Sequence, residues 1–216
     1  MKLIIFDWDG TLIDSAARII NCMQRAAYDA GLPKPGDEAV RNIIGLGLPE
    51  VFDELFGSLS VDQEQQMRTL YGHYYIDQDD TPAEFFDGVI DGLGRLKEAG
   101  YRLAVATGKS RRGLDRVFEE TGTGVFFDHS RCADETRSKP DPLMLHQLID
   151  ESGVSLEQCL MVGDTEYDLG MADRAGMRSV GVSYGAHHPD RLRTHRPKII
   201  IDHFSELECW LEGLPQ

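Results

Sequence analysis

Two aspartates stand where a short apolar stretch ends near the start of the chain, in IIFDWDGTLIDS at residues 4–15. In an extended backbone, Asp7 and Asp9 point to one face of the strand, while Trp8 points to the opposite face. Two carboxylates this close repel each other, so the pair needs positive charge nearby. Mg²⁺ fits this need, because it binds few carboxylates together with water and a substrate phosphate.

Further polar residues follow other predicted strands. Asp164 and Asp168 belong to GDTEYD, and Thr107 belongs to ATGKS. In an open parallel sheet, ligands bind outside the carboxyl ends of the strands. These side chains are therefore expected to meet Asp7 and Asp9 at one edge of the sheet.

Two further features predict that the site handles phosphate. Lys139, in SKPDP, can neutralise a carboxylate and a bound oxyanion together. Thr107 and the backbone N–H groups of Thr107 and Gly108 can donate to phosphate oxygens where the next helix begins.

The elements that position these residues alternate between short apolar runs and segments of helical periodicity. Strands are predicted over 3–6, 102–106, 125–127, 159–162 and 179–182, with a possible sixth over 198–201. Helices are predicted over 87–99, 142–149 and 166–175. This alternation predicts an α/β fold with a doubly wound parallel sheet.

The first strand is followed by about ninety residues without a convincing strand, which is far longer than one crossover. Helices are predicted there over 16–30, 38–44, 49–56 and 61–76. The prediction is an inserted helical cap at 15–82, with the α/β core formed by 1–14 and 83–216.

Composition favours a protein of the cytoplasm that does not bind nucleic acid. The formal charge of −15 repels a phosphate backbone. The four cysteines lack CxxC spacing, which favours reduced thiols. No apolar run has the length of a signal peptide or a membrane span. A monomer and a homodimer are both open.

The stretches FDWDGT, VATGKS, SKPDP and GDTEYD together resemble the haloacid dehalogenase superfamily of phosphatases, in its order and roughly its spacing. DGTLIDS and RNIIGLGLPEVF are similar to the phosphoglycolate phosphatase-like subgroup. The resemblance implies a Rossmann-like core, a helical cap, and Mg²⁺-dependent hydrolysis of a small phosphomonoester.

The resemblance also implies roles for single residues. Asp7 is the expected nucleophile, forming an aspartyl-phosphate, and Asp9 the expected general acid and base. Thr107 and Lys139 are expected to hold the phosphoryl group. The expected Mg²⁺ ligands are Asp7, the backbone carbonyl of Asp9 and Asp164. Asp168 is expected either to bind the ion directly or to orient another group.

Substrate contacts are the remaining expectations. Thr11 is expected to position Asp9, and Gly108 to lie beside the phosphate. Arg41 and the loop at 45–47 could contact the rest of the substrate, or could be an exposed arginine and a turn.

Two departures from the subgroup stand out. The subgroup usually has asparagine, lysine and proline after the threonine, whereas this chain has Gly108, Lys109 and Ser110. Trp8 occupies a position that commonly holds a smaller apolar residue, which predicts a roomy or differently packed neighbourhood.

Other residues are predicted to have structural roles. Phe126 and Phe127 are predicted as core strand residues, and His187–His188 as an exposed loop. The cap residues Tyr71, His73, Tyr74 and Tyr75 are predicted to pack a helix rather than to touch substrate.

Phosphoglycolate is the leading substrate candidate at this stage. Sugar-phosphate or nucleotide phosphatase, pyrophosphatase and phosphomutase activities stay open on the same fold. A non-catalytic binding module is disfavoured, because it would be expected to lack Asp7, Asp9 or Lys139, and all three are present.

Overall fold

The computed structural model describes residues 1–214, which form a six-stranded sheet, a two-stranded sheet and ten α-helices among them. The strands, in chain order, are β1 Leu3–Phe6, β2 Ile13–Asp14, β3 Glu84–Phe85, β4 Arg102–Thr107, β5 His129–Cys132, β6 Cys159–Gly163, β7 Arg178–Val182 and β8 Ile200–Ile201. The helices are α1 Ala16–Asp29, α2 Asp37–Asn42, α3 Leu48–Phe56, α4 Val61–His73, α5 Val89–Glu98, α6 Arg111–Thr121, α7 Leu143–Ser152, α8 Glu166–Ala175, α9 Pro189–Arg193 and α10 Ser205–Glu212.

The large sheet has the order β5-β4-β1-β6-β7-β8, and every neighbouring pair is parallel. Helices α5, α6 and α10 pack on one face, and α7 and α8 pack on the other. This confirms the predicted α/β class with a doubly wound parallel sheet.

Side chains along β1 alternate between the two faces of the sheet, and this alternation sets the direction of Asp7. Ile4, Phe6 and Trp8 join the core on one face of the sheet, and Leu3 and Ile5 join the core on the other. Trp8 is fully buried and packs edge-on against Phe85, Phe118 and Phe127. The bulky residue at this position is therefore accommodated by an aromatic cluster, directed away from the two acids.

The predicted strand at 125–127 was wrong. Thr123–Phe126 is a 3₁₀ turn in which Val125 is 81% exposed, and the strand lies further on at His129–Cys132. This edge strand reads HSRC and has no apolar run, so hydrophobicity pointed to the wrong segment. Phe126 and Phe127 are partly buried against the core without belonging to a strand.

Between β2 and β3 the chain forms α1 to α4, followed by a π-helical turn at Tyr74–Gln78. These helices share a hydrophobic cluster of their own, centred on residues such as Met23, Val40, Phe52 and Met67. Strands β2 and β3 pair antiparallel where the chain leaves and re-enters the sheet region. We call residues 15–82 the cap, and these domain bounds stay a prediction.

Candidate active site

The central strands β4, β1 and β6 end side by side, and each is followed by a polar residue. Thr107 is the last residue of β4, Asp7 follows β1, and Asp164 follows β6. The Asp7 N–H donates to the Val162 carbonyl at 2.9 Å, which fixes the backbone at this end of the sheet. All three side chains are fully buried, so sheet order alone brings residues 157 positions apart together.

Lys139 connects two of the buried acids. Its Nζ donates to Asp7 Oδ1 at 2.5 Å and to Asp168 Oδ1 at 2.6 Å. The other Asp168 oxygen accepts from the backbone N–H of Thr165 at 3.0 Å and from its hydroxyl at 2.6 Å, at the start of α8. Asp168 is thus held from both oxygens and orients the lysine toward Asp7.

Asp164 is fixed by donors from two other segments. Thr11 Oγ1 donates to Asp164 Oδ1 at 2.8 Å, and the Ala186 N–H donates to Oδ2 at 2.7 Å. Thr11 was expected to position Asp9. The structure pairs it with Asp164 instead, and Ser15 Oγ donates to Asp9 Oδ1 at 2.6 Å. Sequence reasoning missed Ser15.

Gly10 lies where the chain passes closest to Asp164. Its φ is +86°, and a Cβ on this residue would lie 2.2 Å from Asp164 Oδ2. Only glycine fits both the left-handed backbone and the close approach.

The carboxylate cluster consists of Asp7, Asp164 and Asp168, which each offer an oxygen within 4.8 Å of the others. Asp7 Oδ2 is buried and has no hydrogen-bond partner. Burial raises the pKa of Asp7 well above its usual value, with Lys139 opposing and Asp168 and Asp164 adding to the rise. Burial and then Asp168 raise the pKa of Asp164 to about 7.

Mg²⁺ takes oxygen ligands, and the cluster offers carboxylate oxygens close together, one of which, Asp7 Oδ2, has no protein partner, so the residues present fit this ion. The Asp9 side chain is not in the carboxylate cluster. The predicted ligand at this position is its backbone carbonyl, and that stays a prediction.

Comparison with known proteins decides the family. Residues 4–182 match the family described as haloacid dehalogenase-like hydrolase, which is most of the chain. The chain belongs to the haloacid dehalogenase-like hydrolases. The predicted family is thereby confirmed.

Individual relatives agree with this assignment over nearly the whole chain. The chain is 36% identical over 212 residues to a Dickeya dadantii protein named "Probable phosphatase IndB", covering 95% of this chain and 91% of the relative. It is 32% identical over 215 residues to the phosphoglycolate phosphatase of Vibrio cholerae, with 96% and 95% covered. A solved structure described as a predicted phosphoglycolate phosphatase from Haemophilus somnus superimposes with a TM-score of 0.86, at 27% identity and 98% coverage of both chains. The chain is an enzyme, a hydrolase of phosphate esters.

Lys109 is a site residue of this hydrolase that sequence reasoning did not single out. Its Nζ lies 3.0 Å from Asp9 Oδ1 and 3.3 Å from the Tyr75 hydroxyl, which belongs to the cap. Burial disfavours its charge, yet Asp9 and Tyr75 hold the pKa of Lys109 above its usual value. The sequence feature that could have identified Lys109 is its position two residues after Thr107, where the subgroup resembled in the sequence analysis usually has a lysine as well.

The departure at Gly108 has a structural reason in this hydrolase. A Cβ at Gly108 would lie 2.4 Å from the carbonyl oxygen of Leu46 and 2.6 Å from that of Gly45. The cap loop at 45–47 therefore presses directly on the core beside the expected phosphate position. A larger residue at 108 would force the cap backbone away.

A cavity of about 340 Å³ lies between the cap and Asp9. We call it the cap cavity. Gly45 and Leu46 line it, whereas Arg41 does not. Arg41 is exposed on α2, so the structure does not bring this candidate to the site. Tyr71 and Tyr75 pack against the cap's hydrophobic cluster, as predicted, and also line the cavity. His73 is exposed as a helix residue, and Tyr74 bonds to Asp29.

A second contact joins cap and core away from the cavity. His187 Nε2 donates to the Asn42 carbonyl at 3.0 Å, and the Tyr167 hydroxyl donates to the same oxygen at 2.9 Å. His187 Nδ1 accepts from the Glu166 N–H at 3.1 Å. The predicted exposed loop at 187–188 was therefore wrong for His187, which is buried, and right for His188.

No helix in residues 1–214 combines the length and the apolar character that a membrane crossing requires.

Proposed function

We propose that this chain is a Mg²⁺-dependent phosphatase that hydrolyses a small phosphomonoester through an aspartyl-phosphate on Asp7. The observation that carries the proposal is the pair of Asp7 oxygens. Lys139 donates to Oδ1 at 2.5 Å and orients the carboxylate, and Oδ2 is buried with no protein partner, so the two oxygens of Asp7 can divide the roles of nucleophile and Mg²⁺ ligand.

In the first half-reaction, an Asp7 oxygen attacks phosphorus as the bond from phosphorus to the alcohol oxygen breaks. Asp9 donates its proton to that departing oxygen. In the second, water attacks the aspartyl-phosphate, Asp9 accepts a proton from the water, and the bond from phosphorus to Asp7 breaks. Ser15 and Lys109 hold the Asp9 carboxyl group in place at 2.6 Å and 3.0 Å.

Phosphate binding falls to Thr107 at the end of β4 and to Lys139 in the segment between β5 and α7. Thr107 Oγ1 accepts from the Lys109 N–H at 3.1 Å, which leaves its hydroxyl proton free to donate to a phosphate oxygen. Lys139 supplies a buried positive charge beside Asp7. Together they offset the charge that develops on the transferring phosphoryl group.

Asp7, Asp164 and the backbone carbonyl of Asp9 would hold the Mg²⁺. The bound ion supplies positive charge to the phosphoryl oxygens and relieves repulsion in the carboxylate cluster. Asp168 has both oxygens occupied by Lys139 and Thr165, which favours an orienting role over direct ligation.

Phosphoglycolate is the substrate that the names of several relatives suggest. Sugar phosphates, nucleotides and pyrophosphate stay open as alternatives, and so does phosphomutase chemistry. A small phosphorylated metabolite is the proposed partner in every case.

Hydrolysis of p-nitrophenyl phosphate tests this proposal. Turnover is expected with Mg²⁺, and it should stop with excess chelator and in Asp7→Asn. If the native protein released no phosphate from a broad set of phosphomonoesters with Mg²⁺, the proposed reaction would be wrong.

A further inference from the structure

The cap cavity is much larger than a two-carbon acid needs. Its volume of about 340 Å³ lies in the range of pockets that enclose whole organic ligands. Asp9 lines it directly, so the cavity opens onto the residue that protonates the departing alcohol. Whatever alcohol leaves phosphorus must occupy this space.

The walls of the cap cavity are mainly hydrocarbon. Its cap side carries aliphatic side chains, among them Ile19, Met23, Ile44 and Val51, and the aromatic rings of Tyr71 and Tyr75. Within residues 1–214, the lining contains one carboxylate, Asp9, and no amide side chain. A polyhydroxylated sugar would place most of its hydroxyl groups against hydrocarbon there.

One helix face shows how the space is made. The lining residues from α4 and the following turn are at positions 68, 71, 72, 75 and 76, which is the spacing of a single helical face. Gly72 stands in the middle of that face, and a Cβ built there meets no atom within 4 Å. The absence of a side chain at the centre of the wall leaves room for a ligand.

The same cavity carries basic side chains in an acidic protein. They are Lys109, Arg68, Arg112 and Arg116, and within residues 1–214 all except Arg112 are paired with a carboxylate. The positive charge of Arg112 favours a phosphate dianion, while the apolar wall receives the part of the substrate behind the ester oxygen.

Building on the proposed function, we propose that the natural substrate is the phosphomonoester of a bulky, predominantly apolar alcohol, of at least benzyl size. Its hydrocarbon body packs against Tyr71, Tyr75 and the aliphatic wall, over Gly72. Glycolate would leave most of this apolar surface in contact with water and gain little from it.

The test compares kcat/KM for benzyl phosphate, phosphoglycolate and glucose 6-phosphate with Mg²⁺. All three are esters of primary alcohols, so differences report binding more than leaving-group reactivity. Benzyl phosphate is expected to exceed both others by at least tenfold. Phosphoglycolate or glucose 6-phosphate matching or exceeding benzyl phosphate overturns the inference and leaves the proposed phosphatase intact. No hydrolysis of any ester overturns the proposed function itself.

Gly72→Leu tests the location. Filling the wall should lower the ratio of kcat/KM for benzyl phosphate to that for phosphoglycolate by at least tenfold, and an unchanged ratio overturns the inference. Gly36→Leu is the matched control, because Gly36 is exposed and its Cβ also meets nothing within 4 Å, so the ratio should stay as in the native protein. Ile76→Trp, at a 40% exposed position on the same wall, gives a second reading if Gly72→Leu folds poorly.

Discussion

The carboxylate cluster and the cap cavity, which Asp9 lines, are built on opposite principles. In the carboxylate cluster, nearly every side-chain oxygen is buried and fixed by a named donor, and Asp7 Oδ2 alone lacks one. In the cap cavity, the walls are mainly apolar with a few basic side chains, and Lys109 and Tyr75 link the cavity to Asp9. From this difference we infer that, on the proposed function, the core determines the reaction and the cap determines which alcohol is accepted.

The largest effect is expected at the nucleophile. Asp7→Asn keeps the size of the side chain, so the fold should persist, but the amide cannot accept the phosphoryl group. Turnover of p-nitrophenyl phosphate should fall by roughly 10³-fold or more. Phosphate release measures this, and thermal unfolding checks the fold. A kcat within tenfold of the native value would remove Asp7 from its assigned role.

Lys139→Met should cost the most stability. The variant keeps the length of the side chain but leaves Asp7 and Asp168 buried without their shared cation. Breaking a buried ion pair from one side typically costs about 3–5 kcal/mol of unfolding free energy. Urea unfolding without Mg²⁺ measures the loss. A loss below about 1 kcal/mol would show that the two acids do not depend on this lysine.

Asp164→Asn should weaken Mg²⁺ binding without touching the cap cavity. The native Asp164 carboxylate accepts hydrogen bonds from Thr11 and Ala186 and offers negative charge to the ion. The amide of the variant offers no negative charge. Calorimetric titration with Mg²⁺ should show at least tenfold weaker binding, while the benzyl phosphate to phosphoglycolate ratio stays constant. A changed ratio would mean that the two regions are not separable.

His187 predicts a pH dependence in the contact between cap and core. Burial lowers the pKa of His187, so the folded protein holds it neutral more firmly than the unfolded chain does. Its contribution to stability is present above the unfolded value of about 6.5 and is lost as pH falls from there through the folded value. Thermal unfolding between pH 5 and 7 should show a smaller loss on acidification in His187→Phe than in the native protein. Equal slopes would contradict this.

Arg41→Ala should have the smallest effect. Arg41 is exposed and does not line the cap cavity. We expect kcat/KM within about twofold of the native value and stability within about 0.5 kcal/mol. A loss of substrate affinity beyond tenfold would restore Arg41 as a substrate contact and require the cap to move.

Features of the fold and of the site that depend on the local sequence pattern could be predicted. Strand β1 has the predicted bounds 3–6, and helix α8 has the predicted bounds 166–175, because an unbroken apolar run and a capped helix are visible in the chain. Asp7, Lys139, Asp164 and Asp168 are brought together as strand ends and motifs indicated.

What the sequence did not show depends on contacts between distant segments. The edge strand His129–Cys132 has no apolar run of its own, since one of its sides lies at the edge of the sheet. His187 looks like a polar loop until Asn42, 145 positions earlier, packs over it. The partner of Thr11 is likewise decided by the fold, which places Asp164 within hydrogen-bonding distance of its hydroxyl.

The most direct test of the central claim is a single-turnover reaction with a ³²P-labelled phosphomonoester, quenched in acid and digested. The account predicts that the label appears transiently on the peptide containing Asp7 and is released by hydroxylamine. Hydrolysis at the native rate, with no label on that peptide at any time and turnover retained in Asp7→Asn, would contradict it.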